Sequence, residues 1–228
     1  MGSGKTTPDG WRELLQDHGF YANGGAEGVI DLSSEPLENR SFLTRILDTL
    51  HRREGWDPEA GRFSPTGPSC TPEEFADAYL AHAVRGPEGE AWQLGILEPR
   101  IAALVRVLNE LGLTTVQSCE GHLHPRGAVV MPMLHFQGAT PGAVAGFILS
   151  AVARFTDCSL GILVNREFVR VKSELGPDRP ETLKLAQRFL QDAARMLREH
   201  EPVWRASVVD LEQVGRRQWV EIGELLED

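Results

Sequence analysis

The chain has 228 residues, of which 41% are hydrophobic and 25% charged, a balance that predicts one large folded domain or two small ones. No apolar stretch approaches the roughly 20 residues of a membrane-spanning helix, and residues 1–20 hold no apolar signal region, so the sequence predicts a cytoplasmic protein with no membrane contact. The formal net charge of −10 argues against nucleic acid as a partner.

The first half of the chain predicts helices and loops. Residues 1–8 are interpreted as a flexible leader, and residues 9–112 as a helical N-terminal half. Thr71-Pro72-Glu73-Glu74 forms a capping-box pattern with proline at the first helical position, which predicts a helix start. Between residues 55 and 72 the density of glycine and proline predicts an irregular loop. Apolar residues at helical spacing predict helices over 11–18, 41–53, 72–84 and 98–111.

The second half, residues 113–228, changes to the pattern of a sheet with helices. Alternating and β-branched residues predict strands, and longer apolar stripes predict helices, in the order β-β-α-β-β-α up to residue 199. The predicted fold is therefore α+β, with the helical half packed on this sheet layer. The predicted elements are strands 114–118 and 128–136, helix 141–154, strands 160–164 and 168–172, helix 179–199, strand 203–211 and helix 218–226.

The turn after the first predicted strand concentrates chemically active side chains. Cys119, His122 and His124 form a Cys-x2-His-x-His pattern, and thiolate and imidazole are ligands that zinc and similar divalent metals prefer. A metal here would activate water, with Glu120 as general acid or base. The sequence thus predicts a hydrolase-like metal enzyme whose small polar substrate is bound by Ser118 and by Arg126, the latter through an anionic group.

Two other interpretations of this turn stay open. Cys119 could instead be a nucleophile activated by His122 or His124, with no metal involved. Alternatively the turn could be structural, with Gly121 supplying a positive φ, in a binding or regulatory protein that performs no reaction. The three cysteines of the chain are too few for a disulfide framework, so reduced thiols are expected.

A fourth metal ligand is not apparent within the turn. If Cys119 pairs near Gly127, His135 lies about 26 Å along the partner strand and is too distant, so a hydrogen-bonded core histidine is expected there. The missing ligand is then predicted to come from the helical half. The histidines of that half, His18, His51 and His82, are expected on the surface or at helix ends.

Residues 114–199 also carry a resemblance to a known family. Ser118, Cys119 and Gly121, placed between two strands and followed by a helix, two strands and a long helix, are similar to the signature of the third enzyme of tRNA wybutosine synthesis. That resemblance implies a methyltransferase that uses S-adenosylmethionine. Gln117, Glu120 and His122 depart from the family signature, and the Ser-Cys-Glu-Gly-His segment resembles uncharacterised bacterial proteins as well.

Overall fold

A computed structural model describes residues 7–24, 28–83, 93–124, 127–155, 160–174, 178–211 and 213. Helices and antiparallel sheets both occur, which confirms the predicted α+β class. The chain divides into two compact units, Met1–Ala103 and Leu104–Asp228. Within the described residues, no helix has the length and the apolar character needed to cross a bilayer.

The described part of the first unit includes three α-helices and a short 3₁₀ helix, and they surround an apolar core. Each α-helix buries a stripe of side chains at helical spacing, such as Phe42, Ile46 and Leu47. The predicted capping box is confirmed, because the Thr71 side chain accepts from the Glu74 N–H and the Glu74 carboxylate accepts from the Thr71 N–H. These elements are α1 (Thr7–Asp17), α2 (Leu37–Thr49), α3 (Pro72–His82) and the 3₁₀ helix (Leu94–Ile96).

A small antiparallel sheet completes the first unit, and half of it lies where the sequence predicts only a loop. Its strands pair in the order β1-β2-β4-β3. The two later strands form in the glycine- and proline-rich segment because Trp56 and Phe63, directly opposite each other, pack edge to face with ring centroids 6.2 Å apart. The strands are β1 (Asn23–Gly24), β2 (Ile30–Asp31), β3 (Trp56–Asp57) and β4 (Arg62–Phe63).

The second unit is built on a four-stranded antiparallel sheet. Its strands pair in the order β5-β8-β10-β9, and a separate two-stranded ladder joins β6 to β7. The helices described in this unit include α4 (Ala102–Glu110), which contains the boundary between the units, α5 (Ala139–Phe155) and α6 (Pro180–Glu199). The strands are β5 (Thr115–Cys119), β6 (His122–Leu123), β7 (Val129–Val130), β8 (Met133–Phe136), β9 (Leu160–Asn165) and β10 (Phe168–Ser173).

The two faces of the four-stranded sheet differ in exposure. Side chains alternate between faces, and one face buries Leu134, Phe136, Val169 and Val171. Helix α5 packs on that face, since a Cβ added to Gly146 would lie 2.2 Å from Val164 Cγ2. We call the other side the open face, because its side chains are exposed or half-buried; on β5, β8 and β10 they are Gln117, Cys119, Met133, His135, Phe168 and Arg170.

The predicted register of the first hairpin is wrong. The chain inserts the short β6–β7 ladder after Cys119, and β8 begins only at Met133. Cys119 therefore pairs with Met133 and not near Gly127, and His135 pairs with Gln117. His135 consequently lies two residues along the ladder from Cys119, where the sequence prediction had placed it at the far end.

The predicted strand at 203–211 is also wrong, because residues 201–211 are helical. Trp204, Val208 and Leu211 recur at helical spacing, and of these Val208 is buried. An ion pair between Glu201 and Arg205, four residues apart, supports the same helix. The predicted helix 218–226 and residues 1–6 of the predicted leader lie outside the described residues, whereas Thr7 and Pro8 belong to α1.

Candidate functional site

The candidate site begins at the carboxyl end of β5. Cys119 is the last residue of that strand, Glu120 and Gly121 make the turn, and His122 opens β6. Strand alternation directs the Cys119 side chain to the open face, beside Met133 on the neighbouring strand. The turn thus places one thiol and one imidazole at the edge of an accessible sheet surface.

Cys119 and His122 are in direct contact. The Cys119 Sγ lies 3.7 Å from His122 Nδ1, and the backbone N–H of Gly121 donates to the same sulfur at 3.4 Å. Cys119 is a half-buried reduced thiol, and His122 is exposed. The sulfur therefore has an imidazole nitrogen and a backbone N–H donor within reach, and a thiol beside an imidazole is suited to nucleophilic chemistry or to holding a metal.

Gly121 is the residue that permits this turn. Its φ is +80°, a conformation in which an L side chain is strained, and it is buried. A Cβ at this position would lie 2.7 Å from both the Val130 carbonyl oxygen and Leu183 Cδ1. The close approach of the turn to β7 and α6 therefore requires glycine, as the structural interpretation of the sequence anticipated.

Helix α6 holds the turn in place through one side chain. The buried Gln187 amide donates from Nε2 to the backbone oxygens of Gly121, at 3.0 Å, and of Glu120, at 3.3 Å. A buried side-chain donor shared by two carbonyls fixes the turn relative to the helix. Sequence analysis missed Gln187, although a glutamine on the apolar stripe between Leu183 and Leu190 marks a polar group that needs a buried partner.

His124 and Ser118 are two further predicted residues that the structure describes. The backbone of His124 closes the β6–β7 turn, donating to the Ala128 oxygen at 2.8 Å and accepting from Gly127 at 2.8 Å, and its side chain is exposed. Ser118 pairs with Leu134 and faces the covered side of the sheet, away from Cys119. Arg126 lies outside the described residues.

Glu120 is half-buried, and its described role is through its backbone carbonyl, which accepts from Gln187. Across the part of the chain that the structure describes, no group of three or more His, Cys, Asp or Glu side chains is placed to hold a metal ion. Cys119 and His122 come together, while the predicted third ligand His124 is not grouped with them.

His135 is a neighbour of the site on the open face. Its Nε2 lies 3.0 Å from the Glu167 carboxylate, and its ring stacks on Phe168 with centroids 4.2 Å apart and planes 13° from parallel. The expectation of a hydrogen-bonded histidine is met, but the residue is half-buried on an open surface. The stacked rings of His135 and Phe168 thus lie beside Gln117 and Cys119 on the open face.

The other described thiol has a contrasting environment. Cys70 lines a cavity of about 410 Å³ in the first unit. Burial, and to a lesser degree the Glu74 carboxylate, raise the pKa of Cys70 to about 11. Cys70 is therefore protonated at neutral pH, which makes it an internal reference for Cys119.

No family model matches the chain, and no curated protein or solved structure matches it. The resemblance of residues 114–199 to the wybutosine-synthesis methyltransferases accordingly stays a prediction.

Proposed function

We propose that the protein is an enzyme in which Cys119 is the nucleophile and His122 accepts its proton. The observation that carries this proposal is the 3.7 Å contact between Cys119 Sγ and His122 Nδ1, combined with the Gly121 N–H directed at the same sulfur. A thiol, an adjacent imidazole and a positioned backbone donor are the parts that a cysteine nucleophile needs.

The reaction class that suits this pair is acyl transfer to water. His122 Nδ1 takes the thiol proton, the Cys119 sulfur forms a bond to the substrate carbonyl carbon, and the imidazolium returns the proton to the leaving group. Water then cleaves the thioester, releasing the acid and restoring the thiol. The half-buried thiol at the edge of an open face suits a small polar substrate.

Alkylation kinetics test the proposal without knowledge of the substrate. Iodoacetamide is applied at neutral pH, and labelling of the peptides containing each cysteine is followed by mass spectrometry. We expect Cys119 to react at least roughly tenfold faster than Cys70. His122→Ala should slow Cys119 labelling by roughly fivefold or more, because it removes the proton acceptor.

His124→Ala is the matched control, since it deletes an exposed imidazole two residues away that does not belong to the pair. It should leave the labelling rate of Cys119 unchanged. Equal rates for Cys119 and Cys70, or equal effects of the two histidine substitutions, would contradict the proposal.

A metal-dependent enzyme is the second candidate, and one distance favours it. Two ligands bound to one tetrahedral zinc at ~2.0 and ~2.3 Å stand about 3.5 Å apart, close to the observed Cys119–His122 separation. Glu120 would act as acid or base, and His124 would complete the ligand set. Elemental analysis of protein purified without added metal distinguishes the candidates: about one zinc per chain, lost in both His122→Ala and His124→Ala, supports the metal enzyme.

A further inference from the structure

Strand β9 forms one edge of the four-stranded sheet. It pairs with β10 over its whole length, from Leu160 opposite Ser173 to Asn165 opposite Phe168. Every second N–H and C=O of an antiparallel edge strand points outward. Within the described residues no backbone hydrogen bond satisfies this outer edge of β9.

This edge lacks the proline, charged side chains and register irregularities that prevent an exposed edge strand from pairing with another chain. The segment Leu160–Asn165 contains no proline and no charged residue, and its register with β10 is regular. Leu163 on the open face is 48% exposed, and Val164 on the other face is 40% exposed. The opposite edge, β5, is by contrast interrupted by a register irregularity between Thr115 and Gln117.

An apolar side chain of α5 extends the surface beside the edge. Phe147 is 59% exposed, and it follows Gly146, the residue on which Val164 packs. Apolar groups therefore lie on both sides of β9: Leu163 on one face of the sheet, Val164 and Phe147 on the other. A strand added at this edge would lie beside Leu163 and Val164.

We propose that two copies of this chain associate by antiparallel pairing of their β9 strands, forming a continuous eight-stranded sheet. Antiparallel pairing of one strand with its own copy is self-complementary about a twofold axis and leaves no further edge of β9 to extend. The strand itself carries no charge, so no like charges oppose each other along the pairing.

The charges that flank the strand are arranged for such a pair. Arg166 follows the carboxyl end of β9, and Glu174 and Lys172 lie beside Gly161 near the amino end. Arg166 and Glu174 are exposed, and within the described residues neither of these two forms an ion pair. The twofold arrangement brings the carboxyl end of each β9 to the amino end of the other, and so sets Arg166 of one copy near Glu174 of the next.

Sedimentation velocity of the full chain tests this proposal. The wild-type protein should sediment as a species of about 50 kDa, twice the 25.2 kDa of one chain. Leu163→Lys should raise the dimer dissociation constant at least tenfold, because it places a charge on the pairing edge. Val116→Lys is the matched control: Val116 is an apolar side chain on the other edge strand and is 56% exposed, and its substitution should leave the dimer intact.

Hydrogen exchange locates the interface, and circular dichroism checks that both variants are folded. Amides of residues 160–165 should become more protected as the wild-type concentration rises, and in Leu163→Lys they should not. A wild-type monomer at 100 µM would overturn the proposal, as would a dimer that survives in folded Leu163→Lys. Because Cys119 lies on the opposite edge strand, the outcome of the dimerisation experiments is independent of the outcome of the alkylation experiment.

Discussion

Two glycines of the β5–β8 connection have the same backbone conformation in different surroundings. Gly121 has φ +80° and Gly127 has φ +82°. A Cβ on Gly121 would approach Val130 and Leu183 at 2.7 Å, whereas a Cβ on Gly127 has no described atom within 4 Å. Comparing the losses in unfolding free energy on substituting alanine at Gly127 and at Gly121 separates two effects. Gly127 reports the strain of the left-handed backbone, and the additional loss at Gly121 reports its close approach to neighbouring atoms.

Gly127→Ala should destabilise the protein by about 1 to 2 kcal/mol, the usual cost of an L residue in this conformation. Gly121→Ala should cost about 1 to 3 kcal/mol more, because it adds contacts that the surroundings cannot absorb. Urea unfolding at neutral pH measures both values. Equal losses would mean that the Cys119 turn can move away from β7 and α6 at no cost.

The pairing of Cys119 with His122 could be anticipated from the sequence, since a two-residue turn brings positions three apart together. The position of His124 could not, because it depends on backbone hydrogen bonds to Ala128 and Gly127 that the spacing of donors does not reveal. The surface position predicted for His18 is also wrong. It follows α1 where a surface histidine is expected, yet it is 1% exposed, its Nδ1 lies 2.8 Å from the Leu14 oxygen, and it packs on Phe75.

At the scale of elements, the described hydrogen bonds between α6 and the site come from the Gln187 amide. Gln187 is the polar member of an otherwise apolar helix face, and its Nε2 donates to two carbonyl oxygens of the turn. A carboxylate of the same shape would offer only acceptors to those oxygens. The charge and hydrogen-bonding character of this position can therefore be changed without changing its size.

Gln187→Glu should lower the free energy of unfolding by about 2 to 4 kcal/mol, because two carbonyls lose their donor and a carboxylate is buried against them. Gln191→Glu, one turn further along α6 and half-buried, makes the same chemical change away from the turn. It should cost less than about 1 kcal/mol. Denaturant unfolding checks both, and similar losses in the two variants would refute the anchoring role of Gln187.

Elements defined by local chemistry were predictable, and those defined by long-range pairing were not. The start of α3 follows from four adjacent residues, Thr71 to Glu74, whose side chains and backbone cap one another. The register of β5 with β8 depends on the inserted β6–β7 ladder, whose two-residue strands are too short to produce a pattern. The helix at 201–211 was mistaken for a strand because its valines suggest β structure, while packing of Val208 follows helical spacing.

At the scale of the whole molecule, acid stability depends on a group in the core of the first unit. Burial lowers the pKa of His18 to about 4, and Arg100 acts in the same direction; the Leu14 carbonyl and Glu73 act against it. The folded protein therefore keeps His18 neutral at pH values where the unfolded chain, with a pKa near 6.5, takes up a proton.

The sign of the effect follows from this difference in proton binding. The stability contributed by neutral His18 is complete above pH 6.5 and is lost as the pH falls towards 4. Between pH 7 and pH 4.5 this group should remove about 2 to 3 kcal/mol. Urea unfolding at the two pH values measures the loss, and His18→Leu should show a correspondingly smaller pH dependence. An unchanged pH dependence in His18→Leu would exclude His18 as its source.

The hydrogen bond from Gln187 to Gly121 joins positions 66 residues apart in the chain. During synthesis at 5–20 residues per second, α6 therefore follows the thiol and imidazole by roughly 3 to 13 s. Throughout that interval the turn of Cys119 and His122 lacks the hydrogen bonds that Gln187 donates to it. The order of residues along the gene therefore sets the earliest moment at which this turn can acquire its anchor from α6.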